Sequence, residues 1–148
     1  MDHSETKRLI LFDGECILCN KSVQLIIKND PKKLFKFATL QSTFGKSVLN
    51  KVGATDANLN SILLIEGSRY FTKSRAVLKI LKELQYYSLL YPILRLLPNF
   101  LLDFLYNYIA GIRYKLFGKT DHCEIYQKKE FTERIISESS EMEYRSLS

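Results

Sequence analysis

Two cysteines separated by two residues, Cys16-Ile17-Leu18-Cys19, follow an apolar run, Arg8-Leu9-Ile10-Leu11-Phe12, and a turn at Asp13-Gly14. Thiols at that spacing lie within one helical turn, close enough to close a disulfide with modest local adjustment. At a helix N-terminus, unsatisfied amides and the macrodipole favour the thiolate, the form that attacks a disulfide or ligates a metal. The pair suits thiol–disulfide exchange. Metal or cluster binding and redox sensing are the other chemistries open to it. An unperturbed cysteine, pKa about 8.5, is only a few per cent thiolate at neutral pH. A helix terminus supplies roughly 0.3–1 kcal/mol, under one pKa unit at about 1.36 kcal/mol each. Amide hydrogen bonds or a nearby cation must supply the rest.

The residues around the pair have their own alternatives. Asp13 precedes Cys16 by three positions and is read either as a base for Cys19 or as a cap for the first-turn amides. As a bare negative charge it would raise the thiol pKa and oppose activation. Gly14 supplies a tight turn, with a positive φ. Arg75 is the candidate cation near the thiols. Cys123, preceded by His122, is read as a structural cysteine, with a redox or metal-ligand role as the alternative. One C-x-x-C is half of a structural zinc site, and no cofactor is expected. His3 receives no role, and Asp103 and Arg113 are read as surface or capping charges. An apolar strand followed by Asp-Gly also opens a phosphatase motif, but that chemistry wants a second Asp where Glu15 stands.

Hydrophobic periodicity places these residues on elements. Residues 7–12 predict a buried strand and 16–29 a helix, stopped by Asn29-Asp30-Pro31. Cys19, Val23, Ile26 and Ile27 form an inward stripe in that helix, so Cys19 is expected to face the core and Cys16 to sit exposed at the first turn. A strand at 34–38 follows, then a helix near 42–52 ended by Gly53. Ser61–Ile65 and Arg69–Phe71 predict a hairpin through Glu66-Gly67-Ser68, and Ser74 is the expected cap of the next helix. The order β-α-β-α-β-β-α is that of an α/β, thioredoxin-like core.

The 148 residues predict one domain over 1–130, its core at about 7–85. A helical extension covers about 86–118, and the polar end at 131–148 predicts disorder. The extension is rich in Leu, Tyr, Ile and Phe, but its longest charge-free stretch, Leu84 to Leu94, is 11 residues. That is short of the ~20 needed to span a bilayer. A partner or a membrane surface is the contact expected there. The net charge of +6 is spread along the chain, with no nucleic-acid signature. The first residues are polar and carry no signal-peptide core, which predicts a cytoplasmic protein whose thiols are kept reduced.

The string Phe12-Asp13-Gly14-Glu15-Cys16-Ile17-Leu18-Cys19-Asn20 resembles the D-x-x-C-x-x-C signature of the DCC family of thiol-disulfide oxidoreductases. Further similar blocks follow in order: Phe37-Ala38-Thr39-Leu40-Gln41-Ser42; Tyr70 with Ser74-Arg75-Ala76-Val77-Leu78; and Leu97-Pro98, Asp103, Tyr106, Ile109-Ala110, Arg113-Tyr114, Phe117-Gly118 and Cys123. The resemblance implies a thioredoxin-like fold and dithiol chemistry. Many enzymes of that fold place a cis-proline before the third strand, opposite the thiols. Asn60-Ser61 takes that place here, which makes Ser61 a candidate site residue. In the expected cycle, Cys16 attacks a disulfide of a protein or small-thiol substrate, Cys19 resolves the mixed disulfide, and a reductant system restores the dithiol.

Overall fold

The computed structural model describes residues 8–54, 62–118 and 134–136. Strand β1 (Arg8–Phe12) is followed by helix α1 (Ile17–Lys28), strand β2 (Phe35–Thr39) and helix α2 (Thr43–Val52). Strands β3 (Leu63–Glu66) and β4 (Arg69–Thr72) precede helices α3 (Lys73–Glu83), α4 (Leu90–Arg95) and α5 (Asn99–Phe117). The strands form one mixed sheet in the order β2-β1-β3-β4. β1 runs parallel to β2 and antiparallel to β3, and β3 runs antiparallel to β4. This is a mixed α/β architecture with the thioredoxin-like arrangement that the element order predicts.

The continuous apolar run of β1 reflects burial on both faces. Ile10 and Phe12 join Phe35, Phe37 and Leu64 against Val23, Ile26 and Ile27 of α1 and Ala76 and Ile80 of α3. Leu9 and Leu11, pointing the other way, pack with Leu63, Ile65 and the α2 residues Phe44 and Leu49. Each such side chain contributes about 1.5–3 kcal/mol when fully buried, so β1 is fixed in register from both sides. The C-terminal end of that strand is where the chain turns to the cysteines.

Local signals set most boundaries. The Ser42 side chain accepts the Gly45 N–H at 3.0 Å to start α2, and Gly53 ends it with φ 75°. Gly67, φ 63°, makes the β3–β4 turn. Asp30, just past α1, is buried and accepts the N–H groups of Leu34 and Phe35 at 3.2 and 3.1 Å. At α3, Thr72 is the cap residue and Ser74 lies inside the first turn. Its hydroxyl donates to Asp103 of α5 rather than capping its own helix.

Within 131–148 the structure describes Arg134, Ile135 and Ile136. All three are buried along the outer edge of β2. Phe37 N–H donates to the Arg134 carbonyl at 2.9 Å, and Ile136 N–H donates to the Phe37 carbonyl at 2.7 Å. The Arg134 guanidinium bonds the Phe35 carbonyl and the Asp30 carboxylate. Polar composition predicts disorder for these residues. A buried ion pair and two backbone bonds on a sheet edge override it.

Candidate dithiol site

The turn between β1 and α1 is built by Asp13. Its carbonyl accepts the Cys16 N–H at 3.3 Å, and its Oδ1 accepts the Glu15 N–H at 3.0 Å. Gln41, beyond the end of β2, clasps the same turn: its Nε2 donates to Asp13 Oδ1 at 2.7 Å and its Oε1 accepts the Gly14 N–H at 3.1 Å. Asn20 Nδ2 donates to the Gly14 carbonyl at 3.2 Å. Gly14 does not have a positive φ. It is glycine for space, because a Cβ there would stand 2.9 Å from Thr39 Cγ2.

Cys16 is the N-cap residue of α1, in extended backbone conformation, and its Sγ accepts the Cys19 N–H at 3.4 Å. A sulfur in that place receives an amide hydrogen bond and lies at the positive end of the helix dipole. Both cysteines are free thiols. Their exposure is opposite to the expectation from the helical stripe: Cys16 is 0% exposed, and Cys19 is the partly exposed one. Helical phase applies only to residues inside the helix. The extended N-cap backbone turns Cys16 back toward the first-turn amides, while Cys19 sits at the margin of the stripe formed by Val23, Ile26 and Ile27.

Arg113, read from sequence as a surface or capping charge, is buried at the site. Its guanidinium donates to Asp13 Oδ2 at 3.1 Å, and Nη1 lies 4.0 Å from Cys19 Sγ. Burial pushes the Cys19 thiol up to about 12, helped by its hydrogen bond to Cys16, the Cys16 charge and the Asp13 charge, while Arg113 acts in the opposite direction. Cys19 therefore keeps its proton across the neutral range. Tyr106, one face of α5 with Arg113, accepts the Ile62 N–H on its hydroxyl at 2.9 Å. Burial also raises the Tyr106 pKa, and the charges of Cys19, Arg113 and Cys16 act on it.

Asp103, Tyr106 and Arg113 are thus a polar stripe along the inner side of a helix rich in apolar residues. They tie α5 to α3, to the entry of β3 and to the β1–α1 turn respectively. Spacing along one helix could have shown the stripe, but not its partners, which lie far away in sequence. Of the expected site residues, Asp13, Gly14, Cys16 and Cys19 come together. Arg75 does not join them in any hydrogen bond or ion pair; it is exposed on a groove with Lys82 and Arg95. Ser61, His3, His122 and Cys123 lie outside the described residues. Among the described residues, no group of three His, Cys, Asp or Glu is arranged to hold a metal ion.

A thioredoxin-like sheet with two free thiols opening its first helix defines a dithiol protein of that fold class. The family model described as DCC1-like thiol-disulfide oxidoreductase matches residues 10–119, and the chain belongs to that family. It is 41% identical over 116 residues to the uncharacterized protein YuxK of Bacillus subtilis (strain 168), covering 78% of this chain and 85% of that protein. It is 40% identical over 126 residues to the chloroplastic DCC family protein At1g52590 of Arabidopsis thaliana, covering 82% of this chain and 72% of that one. No solved structure matches the chain. Family membership supports a thiol-disulfide oxidoreductase function.

Proposed function

We propose that the protein exchanges disulfides through Cys16 as nucleophile and Cys19 as resolving thiol. The observation that carries this is the asymmetry of the pair: Cys16 Sγ, at the helix N-cap, accepts the Cys19 backbone N–H, while burial and the neighbouring Cys16 push the Cys19 thiol up. In the first step, the Cys16 thiolate attacks one sulfur of a substrate disulfide. The S–S bond breaks, the other substrate sulfur leaves as a thiolate and takes a proton from water, and Cys16 is joined to substrate.

That step removes the negative charge from Cys16. Two of the influences that hold the Cys19 proton, the Cys16 hydrogen bond and the Cys16 charge, are lost with it. Arg113, 4.0 Å away, then favours the Cys19 thiolate against burial and Asp13. Cys19 gives up its proton to water and attacks Cys16 Sγ, the mixed disulfide breaks, and the second substrate sulfur leaves as a thiolate that takes up a proton. Two electrons have passed to the substrate, and Cys16–Cys19 is the disulfide. A thiol reductant must return it to the dithiol. The mechanism thus delays the resolving thiol until the nucleophile is occupied.

Cys16 is fully covered, so the first step requires an opening over its sulfur. Substrates are disulfides of a protein or a small thiol. Trapping distinguishes the roles: Cys19→Ser should accumulate mixed disulfides through Cys16, and Cys16→Ser should accumulate none. Stable adducts on Cys19 in Cys16→Ser, with none on Cys16 in the other variant, would reverse the assignment and make the exposed thiol the entry point.

A further inference from the structure

The helices that follow the core carry a feature the dithiol chemistry does not use. α4 turns Leu89, Ile93 and Leu96 outward at four- and three-residue steps, with Leu96 86% exposed. Phe100, Phe104 and Tyr108 continue along the outer side of α5 at four-residue steps, all more than half exposed. A row of large apolar side chains along one helix face is normally covered. α5 packs its inner side on α3 and α1, while Phe100, Phe104 and Tyr108 on its other side stay exposed among the described residues.

The charges beside this ridge are mostly basic. Between Leu84 and Gly118 the charged residues are Arg95, Asp103, Arg113 and Lys115. Asp103 is engaged by Ser74 and Arg113 by Asp13, which leaves Arg95 and Lys115 facing solvent. A groove alongside joins Arg95 to Arg75 and Lys82, with Leu96, Leu97 and Pro98 on its other wall. The carboxylates of that groove, Glu66 and Glu83, are already paired with Arg8 and Lys79. Arg75, Lys82 and Arg95 have no carboxylate partner among the described residues. Lys82 and Arg95 flank the Tyr91 ring instead, at 5.8 and 5.9 Å.

We propose that this face docks on an anionic lipid bilayer, with the α4–α5 ridge sunk into the acyl boundary and Arg75, Lys82 and Arg95 at headgroup phosphates. Aromatic and aliphatic residues flanked by cations are what an interfacial helix requires. None of the helices is long and apolar enough to cross a membrane among the described residues, so the helix pair lies on the surface. A second copy fits less well, because a two-fold contact through the ridge would bring two sets of these cations toward each other.

Co-sedimentation with phosphatidylcholine vesicles, with and without phosphatidylglycerol, tests the proposal on the intact reduced protein. Binding should require phosphatidylglycerol and weaken with added salt. The triple variant Arg75→Ala/Lys82→Ala/Arg95→Ala should bind about a hundredfold more weakly, at about fivefold per cation near the surface. Leu96→Asp/Phe100→Asp should abolish binding while leaving cooperative unfolding intact, since both side chains are exposed. No binding to phosphatidylglycerol vesicles at low salt, or binding indifferent to the cation variant, would overturn it. So would a dimer in sedimentation equilibrium that Leu96→Asp/Phe100→Asp dissolves, which would give the ridge to a second copy.

Discussion

At the residue scale, the proposed exchange depends on Cys19 holding its proton and releasing it only after Cys16 has reacted. Cys19, pushed up to about 12, gives a linkage whose sign is fixed. Below about pH 8.5, the ordinary thiol value, folded and unfolded chains both keep this proton. Between there and the folded value the unfolded chain releases it and the native protein does not, so stability falls as pH rises. Urea unfolding of the reduced protein should show that fall, and Cys19→Ala should flatten it. The same logic applies to reactivity. Cys16→Ala removes a charge and a hydrogen-bonding sulfur from beside Cys19, so the Cys19 alkylation profile should move to lower pH. Arg113→Met should move it the other way.

Arg113→Met has a second consequence. It leaves the Asp13 carboxylate buried without its ion-pair partner, and losing one member of such a pair costs about 3–5 kcal/mol. Denaturant unfolding should show a loss of that order. Adding Asp13→Asn should recover part of it, whereas a merely bulky role for Arg113 would leave the two changes additive.

At the element scale, α5 is the brace. Tyr106 fixes the entry to β3 by accepting the Ile62 N–H, close to where many thioredoxin-like proteins hold a proline. Tyr106→Phe leaves that amide without its acceptor, a cost of about 1–3 kcal/mol, and amide exchange at Ile62 should speed up accordingly. The β1–α1 turn is equally specific. Gly14→Ala places a methyl against Thr39 Cγ2 and should cost about 1–3 kcal/mol by overpacking. Thr39→Ser removes that methyl group and should restore much of the loss in the double variant.

These elements divide what the sequence made legible from what it concealed. Strands with apolar runs, helix stops at Asn29-Asp30-Pro31 and Gly53, and the Gly67 hairpin are local, and periodicity places them within a residue or two. The grouping of Asp13, Gly14, Cys16 and Cys19 is local as well. Arg113 was not legible, because its partners Asp13 and Cys19 lie on the first strand–helix unit and only tertiary packing brings α5 there. The cysteine exposure was misread because a helical stripe was extended to an N-cap residue that is not helical. Ser74 lies inside the first turn rather than at the cap position, and its hydroxyl donates to Asp103, a partner far away in sequence.

At the scale of the whole molecule, two additions complete the sheet and helix core. Arg134, Ile135 and Ile136 cover the β2 edge, and Arg134 neutralises the buried Asp30. Ending the chain before Arg134 should lower stability by about 3–5 kcal/mol, the cost of stranding a buried charge, and should expose a strand edge that promotes aggregation. Thermal unfolding against the full chain measures both effects. The helical extension is the other addition: its inner side brings Arg113 and Tyr106 to the dithiol site, and its outer side carries the exposed apolar ridge.

The central claim is that Cys16 and Cys19 cycle as one two-electron couple. Equilibration of the protein in glutathione buffers of graded ratio, with intact-mass readout after alkylation, tests it most directly. The account predicts a reversible loss of two protons in a single transition to the Cys16–Cys19 disulfide, with a midpoint in the range of about −320 to −120 mV spanned by known dithiol couples and thiol pools. Independent glutathione adducts on the two cysteines, with no intramolecular disulfide at any ratio, would contradict it.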